Sequence, residues 1–239
     1  MFGPVKVPSL GKSVYYVSFI DDFSRNTWIY FLKKKSEAFD RFKEFKALVE
    51  NQTEKKIKVL RTDNGGEFCS KEFEEFCKMC GIARQKTTPY TPQQNGVAER
   101  MNKMLTERAR SMLSGVRLGQ EFWSKAVETA CYLVNKSPSS ALEDKTPQEA
   151  WNGKKPSFSH LKVFGCDAYV HVPKEKRTKL DSKSEKCIFI GYKDGLKGYN
   201  LWNPVTRKVV YNRNVVVREV KDVIKHEVLP KELEKIDLS

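Results

Sequence analysis

The first fifty residues combine two short apolar runs with one long amphipathic segment. Residues 14–20 (VYYVSFI) and 27–32 (TWIYFL) are almost continuously apolar, and the polar stretch 21–26 that separates them is typical of a turn. These runs predict two strands that pair as a hairpin. The segment 36–51 predicts a helix capped by Ser36, with apolar residues three to four positions apart on its buried face. The residues of that face are Phe39, Phe42, Phe45, Leu48 and Val49.

Shorter elements alternate over the next hundred residues. Residues 57–61 and 82–86 predict strands, and residues 71–80 between them predict a helix. Residues 87–95, which contain two prolines, predict a loop. Three further helices are predicted at residues 96–113, 122–136 and 147–151. This alternation of strands and helices predicts an α/β fold.

The pattern changes near residue 155. The polar residues 152–159 contain glycine and proline, and they predict a boundary between an α/β domain over 1–155 and a second domain over 156–220. Only short β runs follow, and such a series predicts a small antiparallel barrel or sandwich. These runs are residues 163–172, 187–191, 199–202 and 208–217. Residues 221–239 mix charged and apolar positions and predict a weak helix or a tail.

The charge of the chain points to an acidic partner. There are 44 Lys and Arg against 30 Asp and Glu, which gives a formal net charge of +14. The excess is shared between the two predicted domains, with +8 in residues 1–155 and +6 in residues 156–239. Such a balance is typical of proteins that bind nucleic acid, although a basic protein without that partner has the same composition.

Composition also argues against several classes of protein. The 27 aromatic residues are spread along the chain and exclude disorder throughout, and no apolar window approaches the roughly 18 residues of a membrane span. The first residues lack a basic segment followed by an apolar run, so we expect a cytosolic or nuclear protein without a secretory signal. The six cysteines are then reduced thiols. We expect Cys77 and Cys80 to be small buried residues of the helix 71–80 rather than zinc ligands.

Two carboxylates stand at positions suited to binding a metal ion. Asp63 follows the strand 57–61 at a Gly-Gly turn, and Glu99 lies near the start of the helix 96–113. Such carboxylates can bind hard divalent cations such as Mg²⁺, which keep several waters and share phosphate oxygens with a substrate. Taken alone, Asp63 also fits an ordinary turn, and Glu99 fits an ordinary residue of a first helical turn.

The stretches around these carboxylates carry longer motifs. They read LRTDNGGEF over residues 60–68 and TPYTPQQNGVAERMN over residues 88–102, and 35 residues separate Asp63 from Glu99. Together they closely resemble the integrase core of copia-type LTR retrotransposons, whose D,D-35-E signature has this spacing. Three later stretches resemble the SH3-like β domain that follows this core, so that the resemblance covers residues 3–219. They are residues 161–168 (LKVFGCDA), 186–192 (KCIFIGY) and 197–202 (KGYNLW).

The resemblance implies a fold, an activity and partners. The implied fold is α/β and RNase H-like, a mixed five-stranded sheet with flanking helices, followed by a small antiparallel SH3-like β barrel. The implied activity is that of a polynucleotidyl transferase or endonuclease, which processes the ends of element DNA and transfers them into target DNA with Mg²⁺ or Mn²⁺. The implied partners are these DNAs and further copies of the chain, with no membrane and no small-molecule substrate. The implied location is the nucleus, with a cytoplasmic particle stage.

Site residues follow from the same motifs. Asp63 matches the second and Glu99 the third of the family's catalytic, metal-binding carboxylates. The resemblance implies that the proline-rich loop borders the DNA end. We expect nucleic-acid contacts from this loop, from the turn after Asp63 and, because of their charge and helical spacing, from residues in the first turns of the following helix. These residues are Asn64, Tyr90, Gln94, Asn95, Arg100 and Lys103. Lys103 fits equally well as the partner of Glu99 in an i,i+4 ion pair.

The chain departs from the family pattern at its start. The family's first catalytic Asp lies on the first strand, a few residues before the dipeptide that is here Gly3-Pro4. We therefore expect either an integrase fragment or a catalytically inactive or host-reused DNA-binding remnant; the 35-residue spacing disfavours a nuclease that acts on RNA–DNA hybrids. Asp21 and Asp22 lie at a strand end, but we expect them to support the turn and Arg25 rather than to replace the first Asp.

Overall fold

The computed structural model describes residues 1–63, 65–86, 96–193, 195 and 197–218. The chain forms two compact units, Met1–His160 and Leu161–Ser239. Helices and strands mix in the first unit, and the second contains an antiparallel sheet, so the predicted order of an α/β domain followed by a small β domain is confirmed. The predicted boundary after residue 155 stays a prediction, and the predicted tail 221–239 lies outside the described residues.

The first unit begins with the predicted hairpin. Strands β1 (Tyr15–Ile20) and β2 (Thr27–Leu32) pair antiparallel, from Tyr15 opposite Leu32 to Ile20 opposite Thr27. On the edge of β1 away from β2, Phe2 forms an isolated antiparallel bridge with Tyr16. Tyr16 and Val17 are almost fully buried, which explains why this strand reads as continuously apolar.

Helix α1 (Ala38–Thr53) starts later than predicted and buries fewer residues. A short 3₁₀ turn, Lys35–Glu37, precedes it, so Ser36 is not the N-cap; Glu37 holds that position. The buried positions are Ala38, Phe42, Phe45 and Val49, a stripe that advances by three or four residues. Leu48 is 41% exposed because it lies about 100° around the helix from Val49, outside this stripe.

A parallel strand pair follows. Strands β3 (Val59–Thr62) and β4 (Ala83–Lys86) pair in parallel, joined by helix α2 (Lys71–Met79). Strand β3 begins two residues after the predicted start because the amide of Ile57 donates to the Glu50 carboxylate of α1 at 2.9 Å. Cys77 is buried against the core as predicted, and Cys80 is partly exposed.

Helices α3 (Gly96–Ser114), α4 (Trp123–Lys136) and α5 (Pro147–Asn152) complete the first unit. Helix α4 is anchored to β2 through Asn135. The Asn135 side-chain oxygen accepts a hydrogen bond from the backbone amide of Thr27 at 2.9 Å, and the Asn135 side-chain nitrogen donates to the Thr27 carbonyl at 2.8 Å. Helix α5 begins with the predicted cap, in which the Thr146 hydroxyl accepts from the amide of Glu149. Among the described helices, none combines the length and apolar character that a membrane crossing requires.

The described strands of the first unit form two separate pairs, one antiparallel and one parallel. A cavity of about 590 Å³ lies between β1 and β3, and α1 and the first turn of α3 also line it. Side-chain packing joins the pairs: the ring of Phe42 lies 5.8 Å from that of Phe19 on β1 and 5.1 Å from that of Phe73 on α2. The apolar core, rather than backbone hydrogen bonding between the pairs, thus holds these described strands together.

The second unit contains five antiparallel strands in the order β8-β7-β6-β5-β9. They are β5 (Asp167–His171), β6 (Ser184–Tyr192), β7 (Tyr199–Asn203), β8 (Lys208–Asn212) and β9 (Val215–Arg218). The predicted single run 208–217 is wrong, because a turn splits it so that β8 pairs with β7 and β9 crosses to pair with β5. In β5 the inward residues alternate, as Ala168 and Val170 show, whereas the last four residues of β6 are all buried.

The core packing around Phe42 makes a stability prediction. Phe42→Ala removes a fully buried ring, and we expect it to lower the free energy of unfolding by about 3–5 kcal/mol. Leu48→Ala on the same helix is the matched control, and it should cost less than about 1 kcal/mol because Leu48 is 41% exposed. Urea denaturation followed by circular dichroism measures both, and equal losses would contradict the described core.

Candidate active site

Asp63 is held by a tight turn at the end of β3. Thr62, the last residue of the strand, is buried, and Asp63 itself is partly buried. The Asp63 carboxylate accepts a hydrogen bond from the amide of Gly65 at 3.2 Å. The 3₁₀ turn Gly66–Phe68 follows, in which the amide of Phe68 donates to the Gly65 carbonyl at 2.9 Å. The strand thus fixes the backbone position of Asp63, and the turn fixes the direction of the chain after it.

The far end of this turn is tied to β4. Phe68 is buried, with its ring 5.9 Å from that of Phe73. Its carbonyl accepts from Nη2 of Arg84 at 2.6 Å. Sequence reasoning missed Arg84, because the contact depends on the β3–β4 pairing, which places Arg84 opposite Leu60. A single basic residue in a short strand gives no signal of such a role.

Glu99 lies exposed in the first turn of α3. A carboxylate in this position interacts favourably with the positive end of the helix dipole. A polar clasp between β1 and α3 sets the rotation of the helix: the Ser18 hydroxyl donates to Asn102 Oδ1 at 2.9 Å. The Tyr16 hydroxyl adds longer contacts, 3.4 Å to the carbonyl of Asn102 and 3.5 Å to the hydroxyl of Thr106. Since Asn102 is one turn after Glu99, this clasp also sets the direction in which Glu99 leaves the helix.

The fold brings the first turn of α3 to the ends of β1 and β3. Val97 and Ala98 line the same cavity as Ile20 and Arg61. Asp63 follows β3 at that end, so both predicted carboxylates belong to elements that end or begin there. Among the described residues there is no group of three or more His, Cys, Asp or Glu placed to hold a metal ion.

The two carboxylates suit a magnesium ion in their chemistry. Both supply hard oxygen ligands, and Mg²⁺ is often bound through one or two carboxylates, with waters and substrate phosphates completing its shell. Asp63 retains acceptor capacity for this role, since a carboxylate has about four lone-pair sites and the Gly65 amide uses one.

Asp21 and Asp22 serve the hairpin turn, as expected. The Asp21 carboxylate accepts from both the amide and the hydroxyl of Ser24, at 2.8 and 2.7 Å. The Asp22 carboxylate pairs with the guanidinium of Arg25 at 2.6 Å. Both groups are therefore engaged within the turn itself.

The predicted nucleic-acid contacts are only partly within the described residues. Arg100 and Lys103 are exposed on α3. The guanidinium of Arg100 folds back beside Gly96, where an added Cβ would lie 3.3 Å from Nη1. Among the described residues, the ion pairs do not include one between Glu99 and Lys103. Asn64, Tyr90, Gln94 and Asn95 lie outside the described residues, and their roles stay predictions.

Two family models match the chain. The integrase core domain matches residues 2–92, and the retroviral polymerase SH3-like domain matches residues 166–228. The two matches follow the order of the two units of the structure.

Curated relatives match along most of the chain. It is 56% identical over 217 residues to the retrovirus-related Pol polyprotein from transposon TNT 1-94 of Nicotiana tabacum, covering 91% of this chain and 16% of the relative. It is 36% identical to the Pol polyprotein from transposon RE2 of Arabidopsis thaliana, covering 87% and 14%. It is 26% identical to the transposon Ty1-BR Gag-Pol polyprotein of Saccharomyces cerevisiae, covering 93% and 13%. The chain thus spans about a sixth of the length of the first of these relatives.

Solved structures show a distant likeness. The HTLV-2 integrase catalytic core domain in complex with magnesium matches with a TM-score of 0.44 and 24% identity, over 56% of this chain and 81% of that chain. A simian T-cell lymphotropic virus intasome matches with a TM-score of 0.49 and 19% identity, over 76% of this chain and 67% of that chain.

The clasp between β1 and α3 makes a prediction about pH. Burial raises the pKa of Tyr16 to about 12, with the hydrogen bond to Thr106 opposing the rise. The unfolded chain ionises this phenol near pH 10. Tyr16 therefore stabilises the folded state fully below about pH 10, and this contribution is lost as pH rises to about 12.

We expect Tyr16→Phe to abolish this loss. Between pH 10 and 12 the wild type should lose about 2–3 kcal/mol more than the variant. Near neutral pH the two should differ by less than about 1 kcal/mol, because the hydroxyl contacts are long. Urea denaturation at a series of pH values measures the difference, and parallel curves for the two proteins would show that burial of Tyr16 does not shift its titration.

Proposed function

Since the chain belongs to the integrases of copia-type retrotransposon Pol polyproteins, with an integrase core domain followed by a retroviral polymerase SH3-like domain, we propose that it trims the ends of element DNA and joins them to target DNA. One observation carries the proposal. Asp63 at the end of β3 and Glu99 in the first turn of α3 belong to elements that meet at one end of the first unit.

The proposed reactions on DNA phosphodiesters are a hydrolysis in end processing and a transesterification in strand transfer. In end processing, water attacks the phosphorus, forms one P–O bond and breaks another, so that the strand is left with a free 3′ hydroxyl. In strand transfer, that hydroxyl attacks a target phosphodiester, and the displaced 3′ oxygen of the target takes up a proton. A divalent cation held by Asp63 and Glu99 would activate the attacking oxygen and stabilise the leaving one.

The protein's own residues position these groups. The Gly65 amide fixes one oxygen of Asp63, which leaves the remaining lone pairs for the cation. The Ser18–Asn102 bond fixes the rotation of α3 and with it the direction of Glu99. Lys103 follows Glu99 by one helical turn and is exposed, and in this proposal it holds a DNA phosphate beside the reacting one.

DNA binding is proposed from charge and accessibility. The formal net charge of +14 favours a polyanion, and the exposed cations of α3 lie on the helix that carries Glu99. Contacts of this kind are independent of sequence and weaken steeply with salt. We further propose that the chain works as a homo-oligomer on element ends and target DNA, and that it does so in the nucleus after a cytoplasmic particle stage.

A second candidate function is a DNA-binding module without catalysis. The observation that favours it is that the described residues contain no group of three or more His, Cys, Asp or Glu placed to hold a metal ion. Such a remnant would keep the basic surface and lose the chemistry.

A strand-nicking and joining assay tests the proposal. Labelled duplex DNA is incubated with the chain and Mn²⁺, and products are separated on denaturing gels. We expect Glu99→Gln and Asp63→Asn each to lower product formation by about 100-fold or more, since losing a metal ligand removes several kcal/mol of transition-state stabilisation. Glu107→Gln is the matched control, because Glu107 is exposed on the same helix two turns further on.

The possible outcomes separate the two candidates. Full activity in Glu99→Gln would show that the site assignment is wrong. Inactivity of the wild type together with salt-sensitive DNA binding would establish the non-catalytic candidate for this chain.

A further inference from the structure

Arg84 occupies an unusual position behind the Asp63 turn. It lies on β4 opposite Leu60 of β3, with its side chain half-buried. The guanidinium carbon lies 4.6 Å from the centre of the Phe73 ring of α2. The same group donates from Nη2 to the Phe68 carbonyl at 2.6 Å, with the Thr62 hydroxyl 3.5 Å away. One nitrogen thus reaches two residues that lie six positions apart in sequence.

These two contacts lie on either side of Asp63. Thr62 ends β3, and Phe68 ends the 3₁₀ turn that follows Asp63. The turn's own hydrogen bonds fix its shape, but they do not attach its far end to the sheet. The bond from Arg84 adds a polar attachment to the packing of the buried Phe68 ring, and it removes conformations in which the backbone of the segment swings away from β3.

The other contacts of Arg84 indicate that its side chain is held in one orientation and does not satisfy all of its hydrogen-bond donors within the described part of the chain. Its Nε atom is buried and has no hydrogen-bond partner among the described residues. Buried donors are ordinarily paired. The guanidinium instead lies over the Phe73 ring and aims its paired nitrogen at the Asp63 turn. Lysine has no planar group that can stack and donate at the same time, so it cannot replace arginine here.

We propose that Arg84 is a positioning residue for Asp63. By holding Phe68 beside the end of β3, it keeps the Asp63 carboxylate in the orientation that binds the cation. Arg84 acts through the turn, without being a metal ligand itself. This inference rests on the proposed function for the role of Asp63, and it adds a determinant of that role outside the motifs that identify the site.

Two measurements on the purified full chain test the proposal. The first is amide hydrogen exchange at Phe68 and Cys69, which reports on attachment of the turn without metal or DNA. The second is Mn²⁺ affinity, measured by electron paramagnetic resonance of the free ion; Asp63→Asn identifies the binding that depends on Asp63. The variants are Arg84→Gln and Arg84→Lys. Arg41→Lys is the matched control, since Arg41 pairs with Glu44 on the surface of α1.

We expect both Arg84 variants to speed exchange at Phe68 and Cys69 by about tenfold and to weaken the Asp63-dependent Mn²⁺ binding by about tenfold. Arg84→Lys should resemble Arg84→Gln rather than the wild type, because the charge is kept while the planar group is lost. Arg41→Lys should change neither quantity. Circular dichroism confirms that each variant is folded before it is compared.

The outcomes are separable. Unchanged exchange at Phe68 and Cys69 overturns the proposal, whatever the chain does with DNA. Faster exchange with unchanged Mn²⁺ affinity also overturns it, because Arg84 would then only stabilise the turn. If Asp63→Asn leaves Mn²⁺ binding unchanged, the proposed function itself is contradicted, and the positioning role of Arg84 fails with it. The exchange result would then still report whether Arg84 attaches the turn.

Discussion

The aromatic contacts of Phe42 with Phe19 on β1 and with Phe73 on α2, the helix that joins β3 to β4, are the constraint on which the geometry of the first unit depends. Backbone hydrogen bonds join β1 to β2 and β3 to β4, but the described residues form no ladder between the pairs. Asp63 belongs to the β3 side, whereas Glu99 is placed through α3, which is clasped to β1. The distance between the two carboxylates is therefore set by side-chain packing across α1. Close packing makes such an arrangement stiff, because rings in a filled core have few alternative positions.

Each carboxylate is held by a different device. Asp63 depends on a local turn whose hydrogen bonds span a few residues, together with the tie to Arg84. Glu99 depends on a bond between Ser18 and Asn102, which are 84 residues apart in sequence. A local turn can form early and re-form quickly, whereas the clasp requires the α3–β1 contact to be in place. The two halves of the proposed metal site therefore have separate structural origins.

The sequence predicts the local features well and the distant contacts poorly. The hairpin of β1 and β2, the capped helix α5 and the position of Glu99 in a first helical turn follow from periodicity and capping residues. The exposure of Leu48 could not be predicted in this way, because helical spacing alone does not distinguish the centre of the buried face of α1 from its edge. Nor could the role of Arg84 be predicted, because it depends on strand register and on a backbone carbonyl, neither of which leaves a mark in residue type. The candidate site residues were predicted from sequence motifs, whereas the contacts that hold them in place depend on tertiary packing.

The hairpin turn also affects how the site presents itself to a polyanion. Asp21 and Asp22 lie at the rim of the cavity beside the end of β1, where two bare carboxylates would repel DNA. Ser24 donates twice to the first, and Arg25 neutralises the second at 2.6 Å. The turn therefore keeps one uncompensated carboxylate at the rim, because Ser24 donates to Asp21 without neutralising its charge. Arg25 thus removes half of the negative charge that an approaching phosphate would meet from this turn.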